Sequence, residues 1–293
     1  MRIYLDCYAC FISQAIRMAR IAGFSKKKEL QTVREILAEL LKISPGVKPP
    51  VFAGIMQKII SSAIPDKKNL DIYWKIKRNS NDCILKMYAA LQHRVNHSSD
   101  SVYEALRLTA VGNIIDYAAF NQHTINIRAE IEKLISTKFT KEHVRLFKKK
   151  AEKAETLLLI CDNAGEIVFD MLLVTVLQKE YPSLEIIAAV RDIPVLNDAT
   201  ILDAEQIKLG NVCRVISSGS RIPGTVLKNC SSDFRNIFRK ADIVISKGQG
   251  NYETLHACTK KNLFFSFITK CNIVSVHAGF PRGSLMFITH KRK

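Results

Sequence analysis

TLLLICDNAGEIVFD, residues 156–170, is the stretch on which the reading of the whole chain turns. Leu157 to Cys161 form an unbroken apolar run with the length and composition of a strand buried on both faces, and the polarity flips at Asp162-Asn163. Gly165 relieves the backbone, and Glu166 falls three residues after Asn163, as in a capping box. Ile167, Val168, Met171, Leu172, Val174 and Val176 then continue at broadly helical spacing. A strand, a polar turn and a helix in that order make the ligand-binding edge of an open α/β sheet. Taken alone, Asn163 reads equally well as a plain helix N-cap, which stabilises by about 1 kcal/mol without any ligand.

Downstream the pattern repeats. Short β-rich runs cover Leu184–Val190, Cys213–Ile216, Asp242–Ser246, Phe264–Ile268 and Ile273–Val276, separated by helix-length segments, and eight of the twelve glycines lie after residue 164. Upstream the chain reads as helices. Leu30, Val33, Ile36, Leu37, Leu40 and Leu41 mark one buried face, stopped by Ser44-Pro45-Gly46, and further helical patterns cover 51–63, 68–95, 101–118 and 140–154. Ser98-Ser99-Asp100-Ser101 with Glu104 supplies a cap. The expected architecture is α/β: a helical N-terminal domain, 1–150, packed on a three-layer α/β/α core with a mostly parallel sheet, 151–293.

The chain has 293 residues, 47% of them hydrophobic, which is ample for a large core. Its apolar stretches are interrupted by charge before the ~18 residues of a membrane span, and the N-terminus lacks a small-residue cleavage site. A cytoplasmic location without membrane attachment is expected, with the eight cysteines reduced. A net charge of +17 favours anionic partners. The basic residues are nonetheless dispersed in short groups such as Lys26-Lys27-Lys28, Lys148-Lys149-Lys150 and Lys291-Arg292-Lys293, without interleaved aromatics. That pattern fits solvated helix faces better than a nucleic-acid surface.

Two more strand ends carry chemistry. RDIPVLNDAT, 191–200, follows the second strand run; if the two strands are neighbours, Asp162, Asn163 and Asp198 share one sheet edge and offer oxygen ligands to a hard divalent cation. SKGQGNYE, 246–253, follows the strand at 242–246, and glycines 248 and 250 bracketing Gln249 let backbone N–H groups approach an anion, with Lys247 adding charge. The order of a Walker P-loop is absent. Lys270, between the last two apolar runs, could face the same edge. Cys7 and Cys10 lie one helical turn apart without a second pair at zinc spacing, and the seven histidines show no paired ligand spacing.

CDNAGEIVFD (161–170), PVLNDAT (194–200), SKGQGNYETL (246–255), TKC (269–271), VGNIID (111–116) and CYACFISQA (7–15) together resemble the metal-dependent damage-control phosphatases, long called domain of unknown function eighty-nine. The Cys-x-x-Cys start is similar to the short prokaryotic branch of that family. The resemblance implies one divalent metal ion (Mn, Co, Ni or Mg) held at Asp162, Asn163 and Asp198, and catalytic roles for Asp162, Glu166 and Lys247. It also implies a substrate phosphate contacted at Glu166, Lys247, Gly248, Asn251 and Lys270, around the turn that includes Gln249 and Gly250. The expected substrates are small phosphorylated metabolites such as sugar phosphates. Asn272 and His277 depart from the pattern. Such chemistry needs charge neutralisation and an in-line nucleophile, which either an aspartyl phosphate at Asp162 or a metal-activated water provides. The alternatives are a non-catalytic metal- or nucleotide-binding protein using the same edge, and a basic nucleic-acid-binding protein.

Overall fold

The computed structural model describes residues 1–44, 46–65, 71–114, 127–137 and 139–289. Pro45, residues 68–70 and 115–118 of the expected helices, Asp116 among them, and the basic tail at 291–293 lie outside them. In chain order the helices before the sheet are α1 (Leu5–Ile21), α2 (Lys26–Leu41), α3 (Pro49–Ala63), α4 (Trp74–Leu85), α5 (Tyr88–Asn96), α6 (Ser101–Val111), α7 (Ile127–Ile135) and α8 (Lys141–Ala151). The sheet region then runs β1 (Thr156–Ile160), α9 (Glu166–Glu180), β2 (Glu185–Val190), α10 (Ile201–Gln206), β3 (Arg214–Ser217), α11 (Ser232–Lys240) and β4 (Ile243–Lys247). It closes with α12 (Gln249–Leu255), β5 (Leu263–Ile268), α13 (Asn272–Ala278) and β6 (Leu285–Thr289).

The strand order is β3-β2-β1-β4-β5-β6, parallel throughout except for antiparallel β6. The order reverses between β1 and β4, so the crevice of a doubly wound sheet opens at the carboxyl ends of those two strands. Alternation along β1 splits its side chains between two cores. Leu157 and Leu159 join the core under α6 and α9, whereas Leu158 and Ile160 join Phe234, Phe265 and Phe267 on the opposite face. That arrangement is the expected three-layer α/β/α core. A third core joins α1, α2 and α3 through Phe11, Met18, Ile36 and Phe52, and it takes in Val195 and Leu196 from the loop after β2.

Two local expectations are corrected. Ile273–Val276 is not a strand but the middle of α13, ended by Gly279 in the left-handed region, and the last strand is Leu285–Thr289. Three apolar residues around Ser275 are too few to carry a period by which to tell a strand from a helix turn. The long pattern over 68–95 is two helices, α4 and α5, separated at Lys86-Met87. The Asp100 cap is present: its side chain accepts from Tyr103 N at 3.0 Å. Glu104 instead ion-pairs with Arg94 and Arg107.

Candidate active site

Past the end of β1 the chain stays extended for a few residues and meets the loop that follows β2. Cys161 N donates to Ala189 O at 2.9 Å, Ala164 N to Asn197 O at 2.9 Å, and Ala199 N to Asp162 O at 2.7 Å, while Asn163 and Asp198 pair as an antiparallel bridge. Backbone hydrogen bonds alone therefore bring Asp162, Asn163 and Asp198 together. All three line a cavity of about 470 Å³ that is walled on its other sides by Gln249, Gly250, Glu253, Lys270 and one face of α1. Cys7, Cys10, Gln14 and Arg17 belong to that α1 face.

Water is scarce around these groups. Asp162 and Asp198 are 8% and 4% exposed. Burial pushes the Asp162 carboxyl well above the usual carboxylate range, reinforced by the charges of Glu166 and Asp198 and opposed by Lys270 and Arg191. Two amides donate to its Oδ2, from Asn163 at 2.8 Å and from Asn113 at 3.2 Å. Asp198 Oδ2 accepts from Arg191 Nε at 2.6 Å. Asn163 is not the cap of α9: Gly165, at φ 79°, holds that position, and the Asn163 amide is spent on Asp162 and Glu166.

Beneath the cavity floor lies a buried charge cluster. Lys247 Nζ is 2.5 Å from Glu166, 2.9 Å from Asp170 and 3.0 Å from Thr109 O, with both the lysine and its two acids fully buried. Thr109 also donates its hydroxyl to Asp170. Burial alone would lower the lysine, but Asp170 and Glu166 raise it above its ordinary value, so it is charged. Glu166 and Lys247 consequently satisfy each other and lie outside the cavity lining, whereas the family resemblance implies that both contact substrate phosphate. Asn251 is buried as well, bridging Thr225, Arg191 and Lys247 O. Gly248 packs on Asp162: a Cβ there would stand 1.9 Å from Oδ2, and φ is +79°. Of the expected substrate-side residues, Gln249, Gly250 and Lys270 are in the lining.

Three contributors were given no role by the sequence: Asn81 lies outside the motifs, and Arg191 and Glu253 stand inside them unassigned. Arg191, 1% exposed, joins Asp198 to Asn251 and so ties the β2 and β4 ends together. A buried arginine in a sheet needs a carboxylate partner, which is the signal the sequence carried at Arg191 and Asp198. Asn81 of α4 accepts from Gly165 N at 2.5 Å and donates to Gln206 and Asp203, and Asp203 in turn caps Thr200 at the start of α10. Glu253, one turn into α12, lines the cavity; burial lifts its carboxyl to about 7. Asn113 reaches Asp162 and Glu166 from the end of α6. None of the eight cysteines forms a disulfide.

Among the described residues no three His, Cys, Asp or Glu groups form a ready-made metal cage. The donors at this edge are instead two carboxylates and an amide oxygen, a hard set suited to an ion that keeps waters or substrate oxygens in its remaining positions. The crowding of Asp162 by two other acids and the close seat of Gly248 on it fit a resident cation. No helix among the described residues is long and apolar enough to cross a membrane.

A damage-control phosphatase from Pyrococcus horikoshii is 29% identical over the full length of both chains, and an uncharacterised protein from Methanocaldococcus jannaschii is 30% identical over 97% of this chain and 94% of its own. A damage-control phosphatase from Archaeoglobus fulgidus is 25% identical over 98% of each. The crystal structure of a DUF89 family protein from Pyrococcus horikoshii superposes with a TM-score of 0.85 at 26% identity, covering 99% of this chain and 100% of that one. The model of the damage-control phosphatase ARMT1-like domain matches residues 3–286, and the chain therefore belongs to that phosphatase family.

Proposed function

We propose that the protein is a metal-dependent phosphomonoester hydrolase that acts on small phosphorylated metabolites, sugar phosphates among them, at the cavity bordered by Asp162, Asn163 and Asp198. The observation that carries this reading is the pairing of residues 161–164 with 197–199, which gathers two buried carboxylates and an amide at the crevice between β1 and β4. Asp162, Asn163 and Asp198 would hold one divalent ion (Mn, Co, Ni or Mg), and such an ion, when bound, neutralises phosphate charge and lowers the pKa of water. Lys270 and the backbone at Gln249 and Gly250 would hold the phosphate oxygens, supplying positioning and electrostatic stabilisation.

Arg191 fixes the orientation of Asp198, and the Asn113 and Asn163 amides do the same for Asp162. The Lys247–Glu166–Asp170 cluster is read as the rigid base on which those amides rest, because Glu166 Oε2 accepts from Asn113 at 2.8 Å and from Asn163 at 3.3 Å. The 470 Å³ cavity suits a small metabolite and not a polymer.

Chelation followed by add-back of Mn²⁺, Co²⁺, Ni²⁺ or Mg²⁺ should abolish and then restore hydrolysis of p-nitrophenyl phosphate. Full turnover by a protein shown metal-free by elemental analysis would overturn the metal-dependent reading. A screen of phosphorylated metabolites then identifies the substrate.

A further inference from the structure

We propose that Glu253 is the general acid of this site, donating its proton to the leaving-group oxygen as the phosphorus–oxygen bond breaks. The inference rests on the phosphatase reading and names a catalytic group that reading leaves out. An alcohol departing from phosphorus as an alkoxide is a poor leaving group, so a donor near it in the cavity has work to do.

The placement of Glu253 is set by α12. Gly248, at the N-terminus of that helix, is seated against Asp162, and Glu253 follows one turn later while still lining the same cavity. Its Oε1 accepts from Gln249 Nε2 at 2.9 Å, and Gln249 Oε1 accepts from Lys270 N at 2.8 Å. The Lys270 ammonium lies close enough to bias both Asp162 and Glu253. The cavity thus has the Asp162–Asp198 carboxylate pair at one place and the buried Glu253 carboxyl at another, joined through Lys270, while Asp6, the other carboxyl in the lining, is exposed on α1.

The two environments differ as an acid and a metal site should. Glu253 is 8% exposed. Burial raises its carboxyl to about 7, against the opposing pull of Gln249, the Met1 ammonium and Lys270; the Cys7 thiol also faces it, and Asp6, Cys10, Arg17 and Cys271 line the same cavity. It is protonated through the lower part of the physiological range, where an acid of that strength transfers a proton effectively.

The step balances. The electron pair of the breaking P–O bond stays on the leaving oxygen, which takes the Glu253 proton and departs as the alcohol. Water adds its oxygen to phosphorus; one of its protons remains on the inorganic phosphate and the other returns Glu253 to its acid form.

The test compares wild type with Glu253→Gln, both saturated with Mn²⁺, on p-nitrophenyl phosphate, phenyl phosphate and a simple alkyl phosphate. An acidic phenol leaves without help, whereas an alkoxide does not. The variant should lose kcat/KM about 10²- to 10³-fold more on the alkyl phosphate than on p-nitrophenyl phosphate. Wild-type kcat/KM on the alkyl phosphate should fall above pH about 7, as Glu253 loses its proton, and that limb should vanish in the variant. Should Glu253→Gln not fold, wild type alone decides: the dependence of rate on leaving group should be shallow at pH ~6 and steep at pH ~8.5. Equal losses on all three substrates, or a leaving-group dependence that ignores pH, overturn the assignment while hydrolysis itself keeps the phosphatase reading. Failure of metal-loaded wild type to hydrolyse any phosphomonoester removes both.

Discussion

Replacing Lys247 by Met removes the cation from a fully buried cluster and leaves Glu166 and Asp170 facing each other without it. The volume is nearly kept, so the cost is electrostatic and not a cavity. Taking one partner from a buried ion pair destabilises by about 3–5 kcal/mol, because the remaining charge has neither water nor counter-ion. At about 2–3 °C per kcal/mol for a chain of this size, Tm should fall by roughly 6–15 °C. The pH dependence has a definite sign. In the variant Asp170, raised by burial and no longer opposed by Lys247, holds its proton more tightly when folded than when unfolded, so the deficit is small near the unfolded carboxylate pKa of about 4 and grows as pH rises toward the raised folded value. Urea unfolding followed by far-UV circular dichroism at pH 4.5, 6 and 7.5 measures this directly. Adding Asp170→Asn should recover part of the loss by removing one orphaned charge. A variant within ~1 kcal/mol of wild type at pH 7.5, or a deficit independent of pH, would refute the view that Lys247 is a structural cation under the site.

Lys270→Met should behave oppositely: about half-buried on the cavity wall, it should change stability by less than ~1 kcal/mol yet lower kcat/KM on a phosphomonoester by roughly 10- to 100-fold, and an unaltered rate would take it off the phosphate. Asp198→Asn should abolish the rise in Tm that Mn²⁺ gives wild type, and should cost about 3 kcal/mol even without metal because buried Arg191 loses its carboxylate; wild-type Mn²⁺ affinity by titration calorimetry would remove Asp198 from the ligand set. Gly248→Ala drives a methyl group into Asp162 at a φ of +79° and should weaken Mn²⁺ binding at least about tenfold by the same titration, whereas Gly210→Ala, with nothing within 4 Å, is the control; equal affinity of the two variants would show that Asp162 is not a ligand.

What the sequence determined by itself was local. The apolar run at 157–161 ending in Asp162-Asn163 announces a buried strand with a polar carboxyl end, because a strand covered on both faces has no place for those groups until the chain leaves the sheet. The helical first part, the α/β second part and the Asp100 cap follow from periods and capping preferences of the same kind, and the six family motifs add the phosphatase class. Direction of side chains and long-range pairing were another matter. Lys247 stands beside Gly248 in sequence but on the face of β4 that meets α6 and α9, so it turns down to Glu166 and Asp170 while Gly248 meets Asp162 above. Ile273–Val276, three apolar residues around Ser275, is too short to show a period, and in the fold it lies in α13 while Leu285–Thr289 takes the sheet edge. Asn81 and Arg191 have partners 84 and 60 residues away, and Glu253 is tied to Lys270 through Gln249, whose own contact with Lys270 spans 21 residues; only the packing of α4, β2 and α12 around the crevice decided that an amide, a buried guanidinium and a carboxyl lifted to about 7 would serve one site.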